Sequence, residues 1–358
     1  MKTRILGFDL ARAYSIFGMY IVNYNIVFGN YRDTKPLSQF LTLFSGNSST
    51  VFVILAGMGL SLMTNRENYT SSEKTNFQKV VHKRSLFLFF LGLALYTWWP
   101  ADILHFYGGY MHIAAIVLFW PKKIYLWIAA GAVAIFHILF FTIPYDIGWN
   151  FETLTYNDFW TVQGFIRNTI YNGWNSIFPW LAYFLIGMYL GRLDWEDKRT
   201  SRNIFTIGAI AYILVEIVQY FAKNSSLGEM EKLFFTSEYI PPFLPFQIST
   251  IGFGFMIISL FIRIAKRYEN NSILQGLATT GQMTLTHYIS HLTLGMLLFS
   301  AITGKKYEMQ LNRTEAIPPE YILAFAISYF LISYIFSIYW KRKFANGPLE
   351  LLMRKVSG

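Results

Sequence analysis

Ionisable side chains interrupt several hydrophobic stretches of this sequence at spacings that would place them on one face of a helix. In "ADILHFYGGYMHIA", Asp102, His105 and His112 fall within an arc of about 80° on a helix that turns about 100° per residue. A carboxylate one turn from an imidazole fixes the tautomer of the ring and raises its basicity, as in general-base dyads. The spacing therefore predicts a dyad of Asp102 and His105, and the alternative is a set of polar contacts between helices.

A second pair of histidines stands in "GQMTLTHYISHL", where His287 and His291 are four residues apart and share a helix face with Thr284. Histidines at this spacing occur in zinc sites, but neither an H-E-x-x-H motif nor a cysteine accompanies these two. We therefore predict no metal. The open alternatives are a catalytic or substrate-binding histidine and hydrogen bonds that join helices.

The first hydrophobic stretch, "RILGFDLARAYSIFGMYIVNYN", carries a third stripe, in which Asp9, Arg12 and Asn23 lie within an arc of about 60°. Asp9 and Arg12 are three residues apart and can pair, which lowers the cost of burying both. A structural ion pair is one prediction. The other is a binding site for a phosphate or carboxylate near the cytoplasmic end of this segment, because the planar guanidinium of arginine suits anionic ligands.

A single carboxylate, Glu216, falls in the middle of another apolar stretch, with Gln219 three residues further on. A carboxylate at that depth in a membrane must either find a partner or be protonated. If Glu216 relays protons, the protein is a transporter, and we therefore retain transport as an alternative function.

The elements that must position these side chains are membrane-spanning helices. The chain has 358 residues, of which 54% are hydrophobic and only 14% are charged, against roughly 25% charged residues in soluble domains. The apolar runs are continuous rather than alternating, which favours helices over transmembrane strands. We predict an all-α integral membrane protein, a single domain over residues 1–358, with about ten spans: 5–27, 47–64, 84–100, 102–120, 124–143, 174–191, 203–222, 243–263, 283–302 and 321–340.

The net charge of +10 follows from membrane topology. If Met1 is cytoplasmic and ten helices alternate in direction, most of the 30 Lys and Arg residues fall on the cytoplasmic side. This asymmetry predicts that both termini are cytoplasmic in a multi-pass protein of the cell membrane. It also argues against nucleic acid as a partner, and the absence of cysteine excludes a thiolate nucleophile.

Several motifs resemble, in order, those of a known family. The opening "RILGFDLARAYSIFGMYIVN" is similar to the start of the YeiB-like bacterial membrane proteins, domain of unknown function 418, which are related to the heparan-α-glucosaminide N-acetyltransferases of the transmembrane acyltransferase superfamily. The similarity covers nearly the whole chain and continues through "LFSGNSSTVFVILAGMGLSL", "LFLFFLGLALYTWWPADILHFYG", "PWLAYFLIGMYLGR", "GQMTLTHYISHLTLGMLLF" and "RKFANGPLELLMRKV". The stretch "FLTLFSGNSSTVFV" lacks the histidine that the glucosaminide acetyltransferases carry there.

The resemblance implies an acyltransferase that moves an acyl group, such as acetyl, from cytoplasmic acyl-CoA to a hydroxyl or amine of a glycan, lipid or related acceptor. The catalytic candidates are then His105, Asp102, His291 and His287, and the candidates that bind substrate or donor are Arg12, Asp9, Asn23 and His112. The alternative is a transporter or flippase for a small acyl- or glycan-type solute. Membrane lipids and the substrate are the expected partners, and the sequence is compatible with an oligomer.

Overall fold

The computed structural model describes residues 5–30, 33–66, 68–310, 313 and 315–358. Arg4, the first residue of the opening motif, lies outside these ranges. Helices account for 72% of the structure. In chain order they are α1 (Leu6–Phe28), α2 (Pro36–Thr42), α3 (Asn47–Met63), α4 (Ser71–Tyr96), α5 (Leu104–Val117), α6 (Lys122–Thr142), α7 (Val162–Arg167), α8 (Ile177–Leu190), α9 (Lys198–Lys223), α10 (Glu229–Leu233), α11 (Leu244–Arg267), α12 (Ser272–Gly281), α13 (Thr284–Ser290), α14 (Met296–Thr303), α15 (Pro319–Lys341) and α16 (Pro348–Ser357).

Two π-helical turns and one short hairpin complete the secondary structure of the described residues. The π-helical turns are Asn168–Asn172, which follows α7, and His291–Gly295, which joins α13 to α14. The strands β1 (Trp149–Asn150) and β2 (Thr155–Tyr156) form a two-stranded sheet. The described residues therefore contain almost no β-structure.

Six helical segments are long and apolar enough to cross a membrane: Pro36–Met63, Lys122–Thr142, Lys198–Lys223, Leu244–Arg267, Thr284–Thr303 and Pro319–Lys341. Each coincides with a predicted span. α9 leaves Ile207, Ile213 and Phe221 exposed along one face, as a lipid-facing helix does. The prediction of an all-α multi-pass membrane protein is confirmed.

The other four predicted spans overlap α1, α4, α5 and α8, which are not among these six segments, and two of them differ from the prediction at their ends. α4 begins at Ser71, well before the predicted start at 84, because Thr70 and Glu73 form a capping box in a polar segment. α5 begins at Leu104, so Asp102 precedes this helix, whereas the prediction placed it inside the span. Hydrophobicity identifies the apolar part of a helix but does not show whether a polar segment extends it.

The chain divides into two compact units. Unit 1 comprises residues 1–52, 150–154 and 256–352, and unit 2 comprises residues 53–149, 155–255 and 353–358. In unit 1, α1 packs against α12 and α15. Gly281 permits this packing with α12, since a Cβ atom at position 281 would overlap the carbonyl oxygen of Asp9.

In unit 2, α4 packs against α5, and α8 packs against both α5 and α6. Gly57 and Gly187 lie where α3 and α8 cross, and a Cβ atom at either position would overlap the backbone of the other helix. The small residues of "GMGLSL" and "GMYLG" therefore bring two helix backbones together.

Candidate active site

Asp102 and His105 form a hydrogen-bonded pair in unit 2. The Asp102 Oδ2 atom accepts from the backbone N–H of His105 at 3.0 Å and lies 3.0 Å from His105 Nδ1. Because a carboxylate only accepts, Nδ1 carries the proton and donates it to Asp102. The neutral imidazole then has its lone pair on Nε2, which is the tautomer that a general base requires.

The Nε2 atom of His105 has no hydrogen-bond partner in the part of the chain that the structure describes. Both His105 and Asp102 have 0% exposed surface. A buried polar atom without a partner costs about 1–3 kcal/mol, a cost that a hydrogen bond to a ligand would remove. The lone pair on His105 Nε2 is therefore not used by any other group in the described structure.

A glycine of α4 makes room for the pair. A Cβ atom at position 92 would overlap the backbone nitrogen of His105 and would lie 2.5 Å from Asp102 Oδ2. Any side chain here would push α4 away from α5 and disturb both residues. Gly92 stands in the apolar run "LFLFFLGLALY", where an isolated glycine is the signal for a close backbone approach.

Aromatic rings enclose the imidazole. The ring centroid of His105 lies 3.8 Å from that of Phe106 and 5.8 Å from those of Tyr96 and Phe159. Phe159 in turn stacks on Tyr96 with a centroid distance of 3.5 Å. These apolar neighbours lower the local dielectric constant, which strengthens the interaction between Asp102 and an imidazolium.

The segment that supplies Phe159, residues 144–173, is held by its own hydrogen bonds. Asn172 Oδ1 accepts from Tyr156 OH at 2.7 Å, and Asn172 Nδ2 donates to the carbonyl oxygens of Tyr145 and Ile147. Burial raises the pKa of the Tyr156 phenol, so it stays protonated and can donate. Arg167 ties the segment further through an ion pair with Asp158 at 2.6 Å.

His112 lies apart from this pair. Its exposed ring is held by His82, with 3.1 Å between the two Nδ1 atoms, and its Nδ1 is also 3.1 Å from Ser85 Oγ. The stripe that was predicted to join Asp102, His105 and His112 is thus two separate groups, since His112 is two turns along α5 and faces α4. Burial, followed by the charge of His112, lowers the pKa of His82.

In unit 1, Asp9 and Arg12 pair as their spacing predicts. Arg12 Nη1 lies 2.6 Å from Asp9 Oδ1, and Gln282 Nε2 donates to Asp9 Oδ2 at 3.2 Å. The Asp9 side chain is 2% exposed and that of Arg12 is 21% exposed. The contact with Gln282, just after α12, shows that the pair joins two helices; an additional role in binding an anion stays a prediction.

Asn23 and His291 meet in the same unit, although they are far apart in the sequence. Asn23 Nδ2 lies 2.9 Å from His291 Nε2, and His291 Nδ1 lies 3.1 Å from the carbonyl oxygen of His287. The carbonyl oxygen can only accept, so Nδ1 carries the proton and Nε2 accepts from the Asn23 amide. Both ring nitrogens of His291 are therefore engaged.

His287 makes a hydrogen bond to one of two linked serines on α15. Its Nε2 lies 2.7 Å from Ser337 Oγ, which itself donates to the carbonyl oxygen of Ser333 at 2.7 Å. The Ser337 hydroxyl has a single proton, so His287 Nε2 must donate to it. This contact joins α13 to α15, as a polar side chain between membrane helices commonly does.

Comparison with known proteins places the chain in a family. The family of the heparan-alpha-glucosaminide N-acetyltransferase catalytic domain matches residues 4–227, more than half of the chain. The chain belongs to this acetyltransferase family. A family described as a protein of unknown function (DUF418) matches residues 190–358, so the resemblance to YeiB-like DUF418 proteins is confirmed. No curated protein matches the chain.

The matched ranges separate the two histidine groups of this acetyltransferase-family protein. Asp102 and His105 lie within the acetyltransferase range, whereas His287 and His291 lie within the DUF418 range. No group of three or more potential metal ligands occurs among the residues that the structure describes. Glu216 accepts from Gln219 Nε2 at 2.6 Å on α9, which runs without a break from Lys198 to Lys223.

Proposed function

We propose that the chain is an integral membrane acyltransferase that moves an acyl group, acetyl in the simplest case, from acyl-CoA to a hydroxyl or amine of a glycan, lipid or related acceptor. The proposal includes ten spans, cytoplasmic termini and a location in the cell membrane. The family match supports a membrane acetyltransferase-like protein. The observation that carries the proposal is the lone pair on His105 Nε2, which no described residue uses, with Asp102 on the other side of the ring.

In the proposed reaction, His105 Nε2 removes the proton from the acceptor as its oxygen or nitrogen attacks the thioester carbonyl. Asp102 keeps Nδ1–H in place and stabilises the imidazolium that forms. When the C–S bond breaks, the imidazolium returns the proton to the departing thiolate of CoA. The buried pair is reached only after the aromatic cover, which includes Phe159, has moved.

The test uses full-length protein in detergent, labelled acetyl-CoA and a panel of glycan and lipid acceptors. We expect CoA release that depends on an acceptor, and a loss of about 10²–10⁴-fold in His105→Gln, the usual size of a general-base contribution. The control is His137→Gln, because the hydrogen bond of His137 is to the Val133 carbonyl oxygen on its own helix, and its ring contacts are with Phe136 and Phe243, away from Asp102 and His105. Failure of every acceptor to release CoA, or full activity of folded His105→Gln, would contradict the proposal.

A further inference from the structure

A cavity of about 530 Å³ in unit 2 lies apart from the residues discussed so far. It is built by the segment after α3, the start of α4, the residues after α5 and the start of α6. Its ten lining residues are Thr64, Asn65, Arg66, Asn68, Tyr69, Lys74, Phe119, Trp120, Lys122 and Arg192. The volume is within the usual range for small-molecule sites, roughly 300–1,000 Å³.

The lining is strongly cationic. Four of these residues are Arg or Lys, and the ten include no Asp or Glu. A hydrogen bond with Tyr69, followed by an exposed ion pair with Glu73 at 2.7 Å, raises the pKa of Arg66. Cations that converge on one cavity favour a ligand with more than one negative charge, as a phosphate provides.

Arg192 builds the wall of the cavity. Its guanidinium donates to the carbonyl oxygen of Thr64, to Thr64 Oγ1 at 2.9 Å and to the carbonyl oxygen of Leu118 at 3.2 Å. These carbonyl groups lie at the carboxyl ends of α3 and α5, where helix dipoles favour a positive charge. These hydrogen bonds hold in place the segments after α3 and α5, which lie next to the residues that carry the other cations.

Aromatic rings lie among the cations. The Arg66 guanidinium is 4.7 Å from the ring centroid of Tyr69, the Lys74 ammonium is 5.9 Å from that of Phe119, and Tyr69 and Phe119 are 5.2 Å apart. Trp120 is 48% exposed beside them. A flat aromatic face next to a cationic site suits a phosphate that is attached to a ring or to an interfacial lipid.

We propose that this cavity is a phosphate-binding site. Its ligand carries a phosphate or diphosphate held by Lys74 and Lys122 with Arg66 beside them, while Arg192 fixes the segments of the cavity wall. The same chemistry is offered by a soluble nucleotide and by the headgroup of an anionic phospholipid. The site does not depend on acyl transfer, and its binding can be measured without an acyl group or an acceptor.

The chain offers matched variants for a test. Lys74→Gln combined with Lys122→Gln removes two cations from the cavity. Lys79→Gln combined with Lys123→Gln removes two cations from the same helices, outside the lining. All four lysines are exposed, so each double variant should fold, which size-exclusion chromatography confirms.

Binding to full-length protein in detergent is measured by calorimetry with adenosine 3′,5′-bisphosphate and inorganic pyrophosphate. It is also measured by native mass spectrometry with phosphatidic acid against phosphatidylcholine. We expect the cavity variant to bind at least about tenfold more weakly and the control to stay within about twofold of the parent protein. Binding of the bisphosphate identifies a nucleotide site, and selective binding of phosphatidic acid identifies a lipid site. Absence of both, or equal weakening in the control, would overturn the proposal.

Discussion

His105 of unit 2 and the two histidines of unit 1, His287 and His291, are all buried, yet their rings are used differently. His291 accepts from Asn23 on one nitrogen and donates to a backbone carbonyl group with the other. His105 donates to Asp102 with one nitrogen and has no partner on the other among the described residues. Burial alone therefore does not mark a reactive histidine in this protein. What distinguishes His105 from His291 is a buried lone pair that the hydrogen bonds of the described residues leave unused.

The carboxylates of the two units show the same contrast. Asp9 is balanced by Arg12 and also accepts from Gln282, so its charge is used to join helices. Asp102 faces an imidazole, whose charge can change during a reaction. Four substitutions test this comparison, from the largest expected effect to the smallest.

The Asp102→Asn substitution should abolish most of the proposed activity. Asparagine can donate to Nδ1, which would move the ring proton to Nε2 and remove the lone pair that acts as base. We expect a fall of about 10²–10⁴-fold in turnover, measured as CoA release, with the protein still folded. If His291→Gln lowers turnover as much while the protein remains folded, the proposed distinction between a catalytic His105 and a structural His291 is wrong.

The Arg12→Ala substitution should lower stability. It leaves the carboxylate of Asp9, which is 2% exposed, without its cation, and breaking such a pair costs about 3–5 kcal/mol in buried settings. The partial exposure of Arg12 places the expected cost toward the lower end. Thermal unfolding in detergent measures it. An unchanged unfolding temperature with a raised KM for the donor would instead assign Arg12 to ligand binding.

The Asn23→Leu substitution should have a smaller effect. It removes one hydrogen bond to His291, and such bonds between membrane helices contribute about 0.6 kcal/mol on average and up to about 2 kcal/mol. We expect a small fall in the unfolding temperature and unchanged turnover at a saturating acceptor concentration. A fall in turnover without a change in stability would move Asn23 into the active site.

The His82→Gln substitution should alter how stability depends on pH. The folded-state pKa of His82 lies below its ordinary value, so the neutral ring contributes stability above the unfolded-state pKa, and this is lost as pH falls through the folded-state value. Between about pH 7.5 and pH 5, the parent protein should lose slightly more thermal stability than the variant. Identical pH profiles of the two proteins would show that the contact with His112 has no such effect.

The positions of the helices could be predicted because hydrophobicity reports them directly. The span predicted at 243–263 is α11, Leu244–Arg267, and the span predicted at 321–340 is α15, Pro319–Lys341. The polar first half of α4 could not be predicted in this way, since a capping box and not apolar residues begins that helix. The pairing of Asp102 with His105 was predictable because both partners lie within one turn.

The rest of the site depends on contacts between residues that are distant in the sequence. Phe159 reaches His105 from the segment after α6, and His82 reaches His112 from α4. Asn23 and His291 lie at opposite ends of the chain. The sequence around each of these residues does not identify the residue that it contacts. Only Gly92 carried a local signal, as an isolated glycine in an apolar helix.

The burial of Asp102 and His105 under aromatic rings has a consequence for where an acyl group would go. A base that activates an acceptor hydroxyl can equally activate water, and a thioester attacked by water is wasted. Here the ring of His105 is surrounded by Phe106, Tyr96 and Phe159, and the pair has no exposed surface. While these rings cover the pair, bulk water is excluded, so a donor bound in the absence of an acceptor would be protected from wasteful hydrolysis.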